Sequence, residues 1–443
     1  MELGLAPIPS HDPLLRQIQD HFLRLVQRAT NSPDPVYRFP GTMPLTLSRR
    51  HFGMVDSNDY VALEKSDGTR YMLFAVSNNV LLIDRSMKFY AVEPYPQVLT
   101  PGFTEQQQDT ILDGELTYNM ITQLWEYLIY DCVAINGNTD IAQQGFRARM
   151  SAAEEYVAGP RLWAPFCAGL LRIRIKDYYE KTDIRRLFAH IKKDPHGKYL
   201  YVNNERRDGV LCNENDGVIL APVGIPYKVK RCDALLKWKP PHLNSIDFTL
   251  QLERAHDERR KEPTVKPYIA YKGERGLIRL RQVIIPSKQR RKWAADFDRF
   301  NGAVVELAYD KLAGEWRFLR VRDDKEGPNF ASTVIDTLET IVESVERDEF
   351  VAHLEKPRKP IPNHEKGFVD FNKRNLAACA FRNDLFDETN DKYLVATPIS
   401  LTPVPLMQPP PRRRGPRRTA VANGDKADWR DGDRLPVAYE DDV

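Results

Sequence analysis

A lysine, an acid, a glycine and an arginine fall within six residues at Lys65-Ser66-Asp67-Gly68-Thr69-Arg70. A lysine amine is a nucleophile only when deprotonated, and its ordinary pKa of about 10.4 leaves few copies neutral at pH 7. A neighbouring cation or a bound metal must lower that value before the amine can attack phosphorus or carbon. Arg70 or a metal ion is the expected source of that shift. Asp67 and Gly68 suit a turn, where a missing Cβ lets backbone approach a ligand closely. Because K-x-D-G is also common in surface turns, the residues downstream decide its meaning.

Further polar blocks follow at the edges of apolar runs. Asp84-Arg85 closes Leu81-Leu82-Ile83, Asp113-Gly114-Glu115-Leu116 sets a carboxylate after a glycine, and Tyr130-Asp131 ends Leu128-Ile129. Asp216-Gly217-Val218-Ile219 opens another run, and Lys237-Trp238-Lys239 alternates cations that would share one face of a strand. Arg320-Val321-Arg322-Asp323-Asp324-Lys325 repeats that alternation late in the chain. Taken singly, these are surface ion pairs, turn carboxylates, core aromatics and solvated strand faces. As an ordered set they suit phosphoryl-group chemistry. Cations hold a triphosphate and offset charge developing in transfer. Glu115 and Asp216 are hard oxygen ligands for Mg²⁺ or Mn²⁺, and Tyr130 offers a face to a nucleobase.

The elements that must position these groups read mainly as strands. Leu14, Leu15, Ile18, Phe22, Leu25 and Val26 recur at helical spacing, which predicts a helix over 13–28. Residues 60–92 read as an antiparallel meander, 112–133 and 210–239 as further strands, and 184–191 as a helix capped by Thr182 or Asp183. Pro240-Pro241 is the expected hinge between domains. Beyond it, runs at 246–252, 277–285, 303–309 and 316–321 suit a small β-barrel, and 334–345 an amphipathic helix. After about Thr397 the chain turns Pro-rich and then Arg-rich at 412–418, which predicts disorder. The arginine cluster is open between a nuclear-import signal, an RNA contact and a solvated tail.

With 443 residues, two domains plus tails are expected. The 65 basic residues nearly balance 62 acidic ones, so no general nucleic-acid coat is indicated, although local basic grooves are allowed. Cys132, Cys167, Cys212, Cys232 and Cys379 form no C-x-x-C pair, which points to reduced thiols in an intracellular compartment. No zinc spacing, apolar span or secretory leader is visible, so a soluble protein with no membrane partner is expected.

The ordered blocks resemble the motifs of the covalent nucleotidyltransferase superfamily, which contains mRNA capping enzymes and ATP-dependent ligases. Within it the chain is similar to fungal-type mRNA guanylyltransferases. Asp216-Gly217 stands where ligases carry Glu-Gly, and Leu236-Lys-Trp-Lys-Pro240, Asn244-Ser-Ile-Asp-Phe248 and the Pro328-Asn329 that follows Lys325 look like capping enzymes. The resemblance spans roughly residues 40–350. It implies an α+β fold: a nucleotidyltransferase domain on antiparallel sheets (ATP-grasp/ligase-like) at 1–242 and an OB-fold barrel at 243–365. A segment at 366–396 would pack back on the core, ahead of a disordered tail at 397–443. It implies that Lys65 attacks the α-phosphorus of GTP, releases pyrophosphate, and passes GMP to a 5′-diphosphate RNA end. Glu115 and Asp216 would serve the metal and lysine activation, with Lys237 and Lys239 gripping the α-phosphate. Arg70 and Arg85 would hold ribose or phosphate, Tyr130 would stack guanine, and Arg322 and Lys325 would reach the β and γ phosphates when the barrel closes, with Glu64, Asp67, Asp247, Arg320 and Asp324 also in the nucleotide-binding set. The implied partners are a separate RNA 5′-triphosphatase subunit, since no His-Cys-x5-Arg loop surrounds any cysteine, and the phosphorylated tail of RNA polymerase II. The implied location is the nucleus. A ligase of the same superfamily and a non-catalytic scaffold are the competing readings; which labelled nucleotide becomes covalently attached separates them.

Overall fold

The structure, a computed structural model, describes residues 3–32, 38–77, 79–93, 106–162, 171–273, 276–280, 283–310 and 313–357. The tail and the 366–396 segment, with Cys167 and Cys379, lie outside them. The described part is mixed α/β, built on three mainly antiparallel sheets.

The first sheet runs Gly4–Pro7, Phe89–Glu93, Asn79–Ile83, Thr69–Val76, Thr110–Asn119, Leu124–Ala134, Leu171–Ile175, with only the last pair parallel. Alternation along Thr69–Val76 buries both its faces. Met72, Phe74 and Val76 pack with Phe22, Leu25 and Val26 of the helix Pro13–Thr30. Leu73 and Ala75 face the second sheet. That second sheet runs Tyr178–Glu180, Tyr60–Ser66, Leu211–Pro222, Tyr199–Asn203, Ile191–Lys193, and Leu211–Pro222 also pairs with Lys230–Trp238. The meander expected over 60–92 is therefore broken. Tyr60–Ser66 pairs with Leu211–Pro222 and leaves only the strands from Thr69 onward in the first sheet. The 65–69 stretch is the crossover between sheets. Gly68 permits it, because a Cβ there would lie 2.6 Å from the Leu116 carbonyl oxygen.

The period-two alternation also aims the lysines. Val61 and Leu63 line the space between the sheets, while Tyr60 and Ala62 face the outer core, so Lys65 continues the inward row. Ile219 and Ala221 join that row from Leu211–Pro222, whereas Val218 and Leu220 point outward. Leu236 and Trp238 are likewise outward, which turns Lys237 inward.

The third sheet runs Gly276–Arg279, Glu262–Gly273, Ser245–Asp257, Val304–Asp310, Glu315–Val321, around Phe248, Trp293 and Trp316. Among the described residues no pairing joins its two edges, so it is an open sheet and not the closed barrel expected. Two elements here escaped the sequence reading. The strand Glu262–Gly273 is broken by Pro263 and Pro267, and the helix Ser287–Ala295 is too charged to show an apolar stripe. The run expected as a strand over 277–285 ends at Arg279.

The chain then packs back onto the second sheet. Ala331–Glu343 packs Val334, Leu338 and Ile341 into the third-sheet core. The next helix, Arg347–Leu354, gives Phe350, Val351 and Leu354 to the outer core of the second sheet. Phe350 stacks on Trp238 at 4.8 Å with 5° between the rings, and the Trp238 indole donates to the Val345 carbonyl at 2.9 Å. Since Phe350 is fully buried, Phe350→Ala is expected to cost about 3–5 kcal/mol. Chemical denaturation would check this, with a wild-type midpoint disproving the return helix as a structural part of the first domain.

Candidate active site

At the mouth of the inter-sheet cleft, Asp216 is shared by two lysines. Lys65 Nζ donates to Asp216 Oδ1 at 2.6 Å, and Lys239 Nζ lies 2.6 Å from Oδ2. A bulge between Asn215 and Val218 makes this placement, because the pairing of Leu211–Pro222 with Tyr60–Ser66 shifts register there. Gly217 at φ 147° is required: a Cβ would sit 2.1 Å from the Trp238 carbonyl oxygen. Asn215 locks the bulge, donating to the Lys65 carbonyl at 3.1 Å and accepting from the Gly217 amide at 3.1 Å.

The charges follow from that sharing. Burial lowers the Lys65 pKa, but the Asp216 carboxylate outweighs it, so Lys65 is raised above its ordinary 10.5. Sequence reasoning expected the opposite, with a cation beside Lys65. Asp216 is held below its ordinary 3.8, since Lys239 and Lys65 overcome burial. Lys237 forms no ion pair with that carboxylate among the described residues, and burial together with Lys239 and Lys65 outweighs the pull of Asp216 and brings it down to about 8. Burial raises Glu115, against the pull of Lys176, Lys65 and Arg70.

Behind Lys65 lies a cleft with Tyr130 and Phe146 on one side and Leu63, Ile219, Ala221 and Leu235 on the other. Arg70 lies over the Tyr130 ring at 5.4 Å and Lys176 over it at 5.8 Å. Arg70 is committed elsewhere: it forks onto Asp113 at 2.9 and 2.5 Å and donates to the Thr42 carbonyl at 2.6 Å. Buried at 7% exposure, it sits in the cleft wall as a fixed cation, away from the role of tuning Lys65. Glu64 is wholly buried and bonded to Ser66, Lys176, Asn213 and Asn215, which makes it a brace for the Lys65 strand. Arg85 is exposed and lines the cleft, and Asp67 is exposed on the crossover.

Asp113, Asn215, Lys176 and Tyr227 were missed. Tyr227 donates to Asp113 at 2.6 Å, and Lys176 donates to Ser66 at 2.6 Å. Alternating Arg172, Arg174 and Lys176 was the available signal for the last. The second-domain residues form a cluster of their own around Asp247. Arg322 Nη1 reaches Asp247 at 3.0 and 3.2 Å and forks onto Asp324, Lys325 pairs with Asp247, and Arg320 donates to Glu306 at 2.7 Å. No ion pair or hydrogen bond among the described residues joins them to the Lys65 cleft.

Residues 8–241 match the family model of the mRNA capping enzyme catalytic domain, and 243–351 that of the mRNA capping enzyme C-terminal domain. The chain belongs to the mRNA capping enzyme family. It is 28% identical to the mRNA-capping enzyme subunit alpha of Schizosaccharomyces pombe, over 80% of this chain and 88% of that one. It is 27% identical to the subunit alpha of Saccharomyces cerevisiae, over 92% and 94%. A solved Chlorella virus DNA ligase-adenylate overlaps 64% of this chain and 100% of its own at 15% identity and a TM-score of 0.28, too loosely to place any residue. As a capping enzyme the protein is an mRNA guanylyltransferase with GTP as substrate.

The Lys65–Asp216 pair has a defined pH window. Its contribution is present below the raised lysine pKa and lost as pH rises through it; on the acid side it is lost as pH falls through the depressed Asp216 value. The pair is therefore intact at neutral pH. In nucleotide-free protein, Asp216→Asn should lower the midpoint of Lys65 amine modification against pH, followed by mass spectrometry. An unmoved or raised midpoint would show that another group sets it.

Proposed function

We propose that Lys65 is the guanylyl acceptor of this guanylyltransferase. The observation that carries the reading is its position, 2.6 Å from a shared carboxylate at the mouth of a cleft walled by Tyr130. The Lys65 amine, freed of its extra proton, attacks the α-phosphorus; the bond to the β-phosphate oxygen breaks and pyrophosphate leaves. A terminal oxygen of the RNA diphosphate then attacks the same phosphorus, the P–N bond breaks, and Lys65 is restored. Asp216 Oδ1 already accepts a hydrogen bond from the ammonium that must give up its proton. Lys237 and Lys239 take the α-phosphate, Tyr130 stacks the base, and Arg85 and Asp67 lie at the cleft's open side.

The Glu115 and Asp216 carboxylates fit a divalent cation that keeps waters and shares substrate phosphates. Glu115 accepts no hydrogen bond among the described residues, and burial disfavours its bare anion. Mg²⁺ or Mn²⁺ there would neutralise charge on the phosphates. The second domain reads as an OB-fold: five strands ordered third-second-first-fourth-fifth, with a helix between the third and fourth, suit a partly open barrel. The break between the two family matches, at residues 241 and 243, supports a boundary after residue 242. A role in capping nascent transcripts supports a nuclear location and a contact with the phosphorylated polymerase tail.

The fungal relatives are named subunit alpha, which supports a separate partner subunit that removes the RNA γ-phosphate. The isolated chain should then cap diphosphate-ended RNA and leave triphosphate-ended RNA almost untouched; equal capping of both would refute this.

Lys65→Ala and Lys65→Arg should both abolish labelling by α-labelled GTP, because a guanidinium stays protonated. Labelling at wild-type level would remove Lys65 from the mechanism. Arg322→Ala and Lys325→Ala should slow adduct formation more than transfer from a pre-formed adduct, since pyrophosphate leaves before RNA reacts. Equal losses in both steps would place these cations elsewhere.

A further inference from the structure

The chain carries a net charge of only +3, yet residues 253–299 hold 14 basic side chains against 7 acidic ones. Ten of those basic residues and four of the acidic ones lie on the hairpin of Ser245–Asp257 with Glu262–Gly273 and on the helix Ser287–Ala295, which packs against the second of these strands. Arg291 reaches Glu262 at 3.6 Å, so the hairpin tip and the helix form one surface. Elsewhere Arg50, Arg70, Arg149, Arg174 and Arg206 are matched to carboxylates. Here the side chains of Arg259, Arg260, Lys261, Lys288 and Lys292 are exposed and form no ion pair among the described residues. Asp257, at the head of the turn, accepts from the backbone amides of Arg259 and Arg260 at 3.1 and 3.2 Å, so it caps the turn. Glu258 and Glu262 are the exposed carboxylates that flank the three cations, and Glu262 faces Arg291. Uncompensated cations on a folded, ordered turn repel one another and are stabilised by a polyanion.

We propose that this face of the second domain, the hairpin tip 259–261 and the helix Ser287–Ala295, is a track for the phosphate backbone of the RNA being capped. The inference rests on RNA being the acceptor. Asp257 lies ten residues beyond Asp247 along one strand, roughly 30 Å away. The track therefore holds RNA downstream of its 5′ end and takes no part in GMP transfer itself. The contacts are to phosphates, so they are sequence-independent and weaken with salt. The consequence is a preference for longer transcripts, with the 5′ end delivered to a cleft that carries its own chemistry.

The test uses the full chain carrying R259E, R260E and K261E together, and separately K288E with K292E. Adduct formation from GTP should match wild type in both, since neither variant touches the cleft. For diphosphate-ended RNA of about 30 nucleotides, KM should rise roughly tenfold, with little change for RNA of about 5 nucleotides. The slope of log Kd for the longer RNA against log salt should fall by about 2 for the triple variant, close to 0.7 for each phosphate no longer engaged. Equal losses at both lengths, or none at the longer, would overturn the track. So would a loss confined to a phosphorylated peptide. If the triple variant loses adduct formation through misfolding, the helix variant carries the test. Failure of the wild type to label with GTP would instead overturn the guanylyl-acceptor reading.

Discussion

One carboxylate holding two ammonium groups sets the state of the catalytic cleft. Asp216 can pair with Lys65 and Lys239 only because the strand bulges at Gly217, where backbone takes the place a side chain would need against Trp238. Two cations on one anion leave Lys237 without a carboxylate partner among the described residues, and repulsion with burial brings it to about 8. The three lysines are thus unequal before any substrate arrives. Lys65 is protonated and restrained, Lys239 is restrained, and Lys237 is ready to gain from an incoming anion. On the proposed function, a phosphate entering beside Lys237 would satisfy that cation and compete with Asp216 for Lys239. Asp216 would then be freer to take the Lys65 proton, which would couple substrate binding to nucleophile activation.

The same strand ties the cleft to the second domain. Trp238 lies between the two cations, and its ring and indole nitrogen are held by Phe350 and by Val345 from the returning chain. Both connections between the domains, the one after Trp238 and the one before Arg347, are pinned at this residue. Ala331–Glu343 adds charged ties, with Arg50 reaching Asp336 and Glu339 at 3.4 and 3.2 Å. These contacts hold both connections against the strand that carries Lys237 and Lys239.

The sequence held much of this, for a definite reason. Short polar blocks ending apolar runs stay visible because strand alternation forces a side chain at a strand end to one face, and Lys65, Lys237 and Tyr130 were legible on that ground. Lys176, Asp113 and Asn215 were not, since a buried polar residue that serves only its neighbours has no local signature. The second-sheet membership of Tyr60–Ser66 was hidden as well. Local alternation cannot say which sheet a strand joins, and only the long-range pairing with Leu211–Pro222 decides it. The helix Ser287–Ala295 buries Trp293 with few other apolar residues, so its periodicity is too faint to read.

Both halves of the proposed machinery are neutralised by their own acids. Asp216 holds Lys65 and Lys239, and Asp247, 4% exposed, holds Arg322 and Lys325. A ligand must replace carboxylate contacts in two places before the halves can meet around it. A nucleoside or monophosphate has too little charge to offset the loss of both, because each broken pair leaves a carboxylate in a desolvated setting. On the proposed function, a triphosphate would bring enough oxygens to occupy the lysines at its α-phosphate and Arg322 and Lys325 at its distal end, and so offset both losses.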